Sequence, residues 1–299
     1  MGDVAPGSAT SKALVLGGGG VAGIAWELGL LTGLADEGVD LTGADLIVGT
    51  SAGSVVAAQI TGTASLDALF DRQLVPTDQS GELMADLDLD ALTAMFGDAV
   101  RDASTPDEMR AAIGRVALAT PTVPESARRA VIEHRLLDHE WARDRDVRIV
   151  AADAESGETR VFIRDQGVSI IDAVAASCAV PGVWPPVTID DRRYIDGGVR
   201  SATNADLAAG SGTIVIVAPM IDIAGIADAT AAAAIEQLSL TSSVLWVRPD
   251  DASTAAIGAN PLDPATREPA ATAGRAQGRA IAAEVKATWA ADADMTPRP

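Results

Sequence analysis

The chain has 299 residues, 48% of them apolar, enough to bury a full core as a single domain. Acidic residues outnumber basic ones 42 to 22, giving a formal charge of -20. That field repels phosphate backbones and anionic bilayers, which excludes nucleic acid as a partner and limits membrane engagement to peripheral contact.

Residues 1–12 read as a polar leader. No basic segment precedes an apolar one, and Pro6 breaks the myristoylation pattern, so the expected location is cytoplasmic. "ALVLGGGG" (13–20) predicts a buried strand running into a glycine loop, and "IAWELGLLTGLADEG" (24–38) a helix closing near Gly38. The order repeats, with a strand over Asp45–Val48 and a helix of small side chains from Ala52. The uncharged run from Leu46 to Leu66 is long enough to cross a bilayer, but its Gly, Ser, Thr and Gln content fits this buried strand and helix better. Two βα units in succession predict a parallel sheet covered by helices.

Over about 71–146 the pattern turns charged and helical, broken by Pro76, Pro106, Pro121 and Pro124, which predicts an inserted helical cap. Leu87, Leu89, Leu92, Met95, Phe96 and Val100 form an apolar stripe there, read as a face packed on the body, with acyl-chain contact as the alternative. The body resumes with "VRIVAAD" and "TRVFI", a predicted hairpin around a Ser-Gly-Glu turn. "SIIDAVAASCAVPG" predicts a helix stopped by Pro181, and "RRYIDGG" a short strand ending in a tight turn. "TIVIVAPM" and "SVLWVRPD" supply two more buried strands. A Pro-rich loop over about 250–274 then leads into a terminal helix, Arg275 to Ala290. Cys178 is the one cysteine, so no intrachain disulfide exists; in its apolar setting it reads as core.

Two glycine-flanked motifs carry chemistry. "GGGGVAG" satisfies G-x-G-x-x-G through Gly18, Gly20 and Gly23, between a strand and a helix, as a dinucleotide site requires. The second strand, however, ends in Gly49-Thr50-Ser51 and not in the acidic residue that would hold a ribose. A loop of this kind also presents backbone N–H groups at a helix N-terminus, suited to the oxyanion of acyl transfer. "GTSAG" places Ser51 between Gly49 and Gly53 on a strand–turn–helix, the setting of a nucleophile elbow, although an N-cap serine would look the same.

No histidine follows His139, and His134 and His139, five apart in a charged helical stretch, read as solvated. Lys12 and Lys286 lie in the leader and the terminal helix. The candidate base is therefore Asp196 in "YIDGGV", where Gly197 and Gly198 allow a sharp turn, although Asp-Gly is also a common hairpin turn. As a base for a hydroxyl it needs a poorly solvated site that raises its pKa.

The glycine loop, G-x-S-x-G and a later D-G-G, in this order over about residues 13–200, resemble the patatin-like phospholipase family. The family loop G-G-G-x-[RK]-G is matched by Gly18, Gly19, Gly20, Val21, Ala22 and Gly23, its serine by Ser51 and its aspartate by Asp196. "ASCAVPGVWPPV" is similar to the block preceding that aspartate. The departure is Ala22, where the family usually has Arg or Lys. The resemblance implies one domain over 1–299 with a three-layer α/β/α sandwich and a mainly parallel sheet. It implies a lipolytic carboxylic ester hydrolase with Ser51 as nucleophile, Asp196 as general base and an oxyanion hole at Gly18, Gly19, Gly20 and Val21, with neither metal nor cofactor. A dinucleotide-binding module, or a non-phospholipid esterase or acyltransferase, is the alternative.

Overall fold

The computed structural model describes residues 11–85, 89–219 and 226–290, the side chains of 89–92 and 226–230 excepted. Most of the leader, Leu87 and Met220 lie outside the described residues, as do the side chains of Leu89 and Leu92.

Among the described residues, eight strands form one mixed sheet: β1 (Lys12–Leu16), β2 (Leu46–Thr50), β3 (Asp146–Asp153), β4 (Thr159–Phe162), β5 (Val187–Ile189), β6 (Arg192–Asp196), β7 (Thr213–Val217) and β8 (Ser243–Val247). Their order is β5-β6-β3-β2-β1-β7-β8, with β4 also paired to β3. β3, β2, β1, β7 and β8 are mutually parallel, while β4, β5 and β6 enter antiparallel. Apolar side chains alternate between two cores, as strands buried on both faces require. Leu14, Leu16, Ile47, Ile149, Val215 and Val217 face one core, and Ala13, Val15, Val48, Ile214 and Ile216 the other.

Against the first face pack α1 (Gly20–Asp36), α2 (Ala52–Ile60), α7 (Ile170–Ser177) and α10 (Arg267–Trp289). The second face is covered by the 3-10 turn Ala205–Ala208 and by α8 (Ile226–Leu238), and beside β3 and β6 by α5 (Pro106–Ala119). The result is an α/β three-layer architecture. No described helix is long and apolar enough to cross a membrane.

The stretch read as a cap holds part of α3 (Leu66–Asp71), then α4 (Leu89–Ala99), α5 and α6 (Glu125–Arg135), with no strand among the described residues. It packs into the body at several points: Ile132, Leu136 and Trp141 belong to the first core. Met95, Phe96 and Val100 are half-buried.

Several boundaries differ from expectation. α1 begins at Gly20, four residues early, because the helix emerges from the glycine loop itself. The supposed loop over 250–274 instead contains α9 (Asp251–Ile257), capped by the Asp250 side chain, and a 3-10 turn at Pro264–Thr266. α10 then starts at Arg267 and not at Arg275; Pro269 falls in its first turn, where a missing amide breaks no intrahelical bond. α6 ends at Arg135, so His139 stands outside it. The β5–β6 hairpin was not anticipated; it turns through Asp190 at φ 53.

Candidate active site

Register brings the serine and the aspartate together. Thr50 of β2 pairs with Val150 of β3, and the next β3 residue, Ala151, pairs with Asp196 of β6. Ser51 and Asp196 therefore flank β3 at the same level, on the carboxyl edge of the parallel strands.

Ser51 adopts φ 51, ψ -114 between β2 and α2, and is 8% exposed. A non-glycine residue at positive φ is strained by about 1–3 kcal/mol and persists only where its surroundings fix it. Here they do. Its N–H donates to Ser177 Oγ at 2.9 Å, and its carbonyl accepts from Ser54 Oγ at 2.6 Å and Cys178 Sγ at 3.2 Å. The flanking glycines are steric necessities: a Cβ on Gly49 would sit 2.7 Å from Gly53 O, and one on Gly53 would sit 2.2 Å from Leu16 O.

Asp196 is 4% exposed and opens a 3-10 turn, Gly197–Val199. Gly198 N–H donates to its Oδ1 at 2.7 Å, whereas Oδ2 is buried with no hydrogen bond closed on it. Burial pushes its pKa up to about 6; the Gly198 amide, the nearby Ser51 hydroxyl and the Arg128 charge oppose that rise. The Ser51 hydroxyl is near enough to Asp196 to favour its charged form.

Asn204, itself at φ 50, joins the two halves of the site. Its Nδ2 donates to Thr50 Oγ1 at 3.0 Å, Ser201 O at 3.0 Å and Gly197 O at 3.3 Å, linking the residue before the serine to the residue after the aspartate. Ser177, Cys178 and Asn204 were not anticipated as site residues, and no local pattern marks them.

The glycine loop lies alongside, on the next strand. Gly17 N–H bonds Val217 O at 2.8 Å, Gly18 N–H bonds Ala202 O at 2.9 Å and Ala22 N–H bonds Pro261 O at 3.0 Å. Gly18 is thus engaged, and Gly19, Gly20 and Val21 have no backbone acceptor among the described residues; nor does Ala52, first in α2. Gly23 packs against Pro219 and Ala52 and keeps α1 close to α2. Behind the loop Glu27 is fully buried, and burial pushes its carboxyl well above the usual range against the pull of the Gly17 amide.

Trp184, Ala85 and Leu262 form an apolar cluster with Leu83, Val180 and Val183. Leu262 abuts Gly20, where a Cβ would lie 2.7 Å from Leu262 Cδ2 and 2.6 Å from Pro261 O. Ser51 and Asp196 are themselves buried. His134 and His139 are exposed, and His139 Nε2 lies 3.2 Å from Leu136 O.

Among solved structures the chain is similar to VipD from Legionella pneumophila, at 14% identity and TM-score 0.46, over 92% of this chain and 67% of that one. It is also similar to the type III effector protein ExoU, at 15% identity and TM-score 0.39, over 93% and 54%. Full-length ExoU solved with full-length SpcU, from Pseudomonas aeruginosa, matches at 15% identity and TM-score 0.32, over 91% and 53%. The chain therefore spans only part of these longer proteins. The family described as Patatin-like phospholipase matches over residues 14–209, a span that takes in the glycine loop, Ser51 and Asp196. The chain belongs to the patatin-like phospholipase family, whose members are lipid ester hydrolases.

Proposed function

We propose that the protein is a serine acyl hydrolase that cleaves carboxylic esters of lipids through a Ser51–Asp196 dyad. The observation that supports this most is the pairing of a strained, backbone-clamped Ser51 with a buried Asp196 whose pKa is raised to about 6, close to that of a working general base.

In the first step Asp196 takes the Ser51 proton on Oδ2 as Ser51 Oγ bonds to the ester carbonyl carbon. The carbonyl electrons move onto oxygen, where N–H groups of Gly19, Gly20 and Val21 receive them, each donor being worth about 3 kcal/mol. Collapse expels the alkoxide, which takes the proton from Asp196 and leaves an acyl ester on Ser51. Water then attacks the acyl carbon while Asp196 accepts its proton. A second collapse releases the carboxylic acid and returns the proton to Ser51. The helix dipole of α2 favours negative charge at this point.

Covalent labelling by a fluorophosphonate tests the nucleophile: the adduct belongs on Ser51 and disappears in Ser51→Ala. Chain-length profiling with graded esters, followed by a phospholipid assay, then fixes the substrate. An unlabelled Ser51 in a folded, ester-cleaving preparation defeats the reading.

A further inference from the structure

α6 buries one arginine, Arg128, whose Nε and Nη1 find no hydrogen-bond partner among the described residues. It is 4% exposed, and its guanidinium carbon lies 4.1 Å over the Trp184 ring. The charges that act on it come from Arg135, Glu82 and Asp196, with the Cys178 thiol also close by. Glu82 is already engaged by Arg135, through Nε to Oε1 at 2.9 Å and Nη2 to Oε2 at 2.6 Å. Arg267, the neighbouring arginine, donates to the carbonyls of Arg72 and Val75. A ring face compensates a buried guanidinium only in part, and an arginine that serves structure alone is normally paired.

Its position explains why the unpaired state is kept. Arg128 acts electrostatically on Asp196, and its stacking partner Trp184 belongs to the apolar cluster that includes Leu262, against Gly20. Through Trp184 and Leu262 the guanidinium is thus connected by direct contacts to the glycine loop beside Ser51. The glycine loop brings backbone N–H groups and the uncharged Ala22, but no cation of its own.

We propose that Arg128 is the specificity residue that binds an anionic group of the substrate, a phosphate or a carboxylate, while Ser51 attacks the ester carbonyl. The proposal rests on the acyl-hydrolase reading and narrows its substrate class to esters carrying negative charge near the scissile bond. A planar guanidinium suits both anions.

Three esters with the same acyl chain test it: a glycerophospholipid below its micelle concentration, an ester bearing a free carboxylate, and a neutral ester. In Arg128→Gln, kcat/KM for the preferred anionic ester falls on the order of 10–100-fold relative to the neutral one, as loss of a charge-assisted hydrogen bond predicts. Arg128→Lys recovers part of this. Which anionic arm responds identifies phosphate or carboxylate as the group bound. Equal losses on all three esters, with the pH midpoint moved upward, would mean that Arg128 only tunes Asp196 and would overturn the proposal. Should Arg128→Gln not fold, inorganic phosphate and succinate are titrated against neutral-ester hydrolysis by the wild type; competitive inhibition by one supports the site, and inhibition by neither removes it. If the wild type cleaves no ester and takes no fluorophosphonate, the hydrolase reading fails by itself. Calorimetry of phosphate and succinate with wild type and Arg128→Gln then decides the anion site separately.

Discussion

If Asp196 is the base, activity follows its ionisation, and the structure places that ionisation well above the ordinary aspartate value. Burial carries the pKa from 3.8 to about 6. The deprotonated form takes the Ser51 proton, so kcat/KM rises with pH through that midpoint and levels off above it. At pH 5 the rate should stand at about one-tenth of its plateau, whereas a carboxylate with an ordinary pKa would already give more than about 90%. The same shift has a stability consequence of definite sign. Between pH 3.8 and about 6 the unfolded chain has released this proton while the native state keeps it, so native stability falls as pH rises through that window and stays reduced above it. The whole shift corresponds to about 3 kcal/mol at 1.36 kcal/mol per unit. Asp196→Asn removes the charge and keeps an oxygen for the Gly198 N–H; it should abolish turnover while gaining up to about 3 kcal/mol at pH 8 and little at pH 4. The measurements are a pH–rate profile on a soluble neutral ester and urea unfolding of both proteins at pH 4 and pH 8. A profile flat down to pH 4.5, or an Asp196→Asn enzyme with its rate intact, would refute the assignment.

Other residues give independent tests. Asn204→Ala removes the donor shared by Thr50, Gly197 and Ser201; it should lower kcat about 10-fold or more through misalignment of the dyad and lower stability by about 1–3 kcal/mol. An unchanged kcat would show that the two halves of the site hold position without this link. Ser177→Ala strips the acceptor from the Ser51 N–H, with an expected loss of about 1–3 kcal/mol in urea unfolding and slower fluorophosphonate labelling. In the seam between α1 and α10, Gly33→Ala would put a Cβ 2.1 Å from Arg275 O. Overpacking of backbone on backbone should destabilise by about 1–3 kcal/mol, more than the gain of up to about 1 kcal/mol in helix propensity; a stabilised variant would mean that the seam opens freely.

The parts of this site that were legible in the sequence are those whose steric demand is local. Gly49 and Gly53 stand on either side of Ser51 because the elbow admits no Cβ there, and Gly197 follows Asp196 because a Cβ would meet Val150 O at 2.3 Å. Such demands leave glycines at fixed offsets, which a sequence displays. The supports of the site leave no such trace. Ser177 lies 126 residues from Ser51, and Asn204 lies 154 from Thr50; each acts through one side chain whose use depends on the register of distant strands. The same limit applies to Gly18. As a glycine in the loop it looks equivalent to Gly19 and Gly20, but its amide is engaged by Ala202 O, a carbonyl that only the tertiary fold brings there.

The supports also account for how the proposed two-residue dyad is kept in order. Positive φ at Ser51 and a raised pKa at Asp196 both work against stability, so each has to be held in place by its surroundings. A histidine between them would fix the geometry through two hydrogen bonds of its own. Without one, the burden shifts to the backbone: β3 sets the spacing, Ser177, Ser54 and Cys178 clamp the serine, and Asn204 ties Thr50 to Gly197. It follows that substitutions in this clamp should act on kcat more than on KM, because they disturb the alignment of the reacting atoms while leaving the surfaces that bind the ester intact.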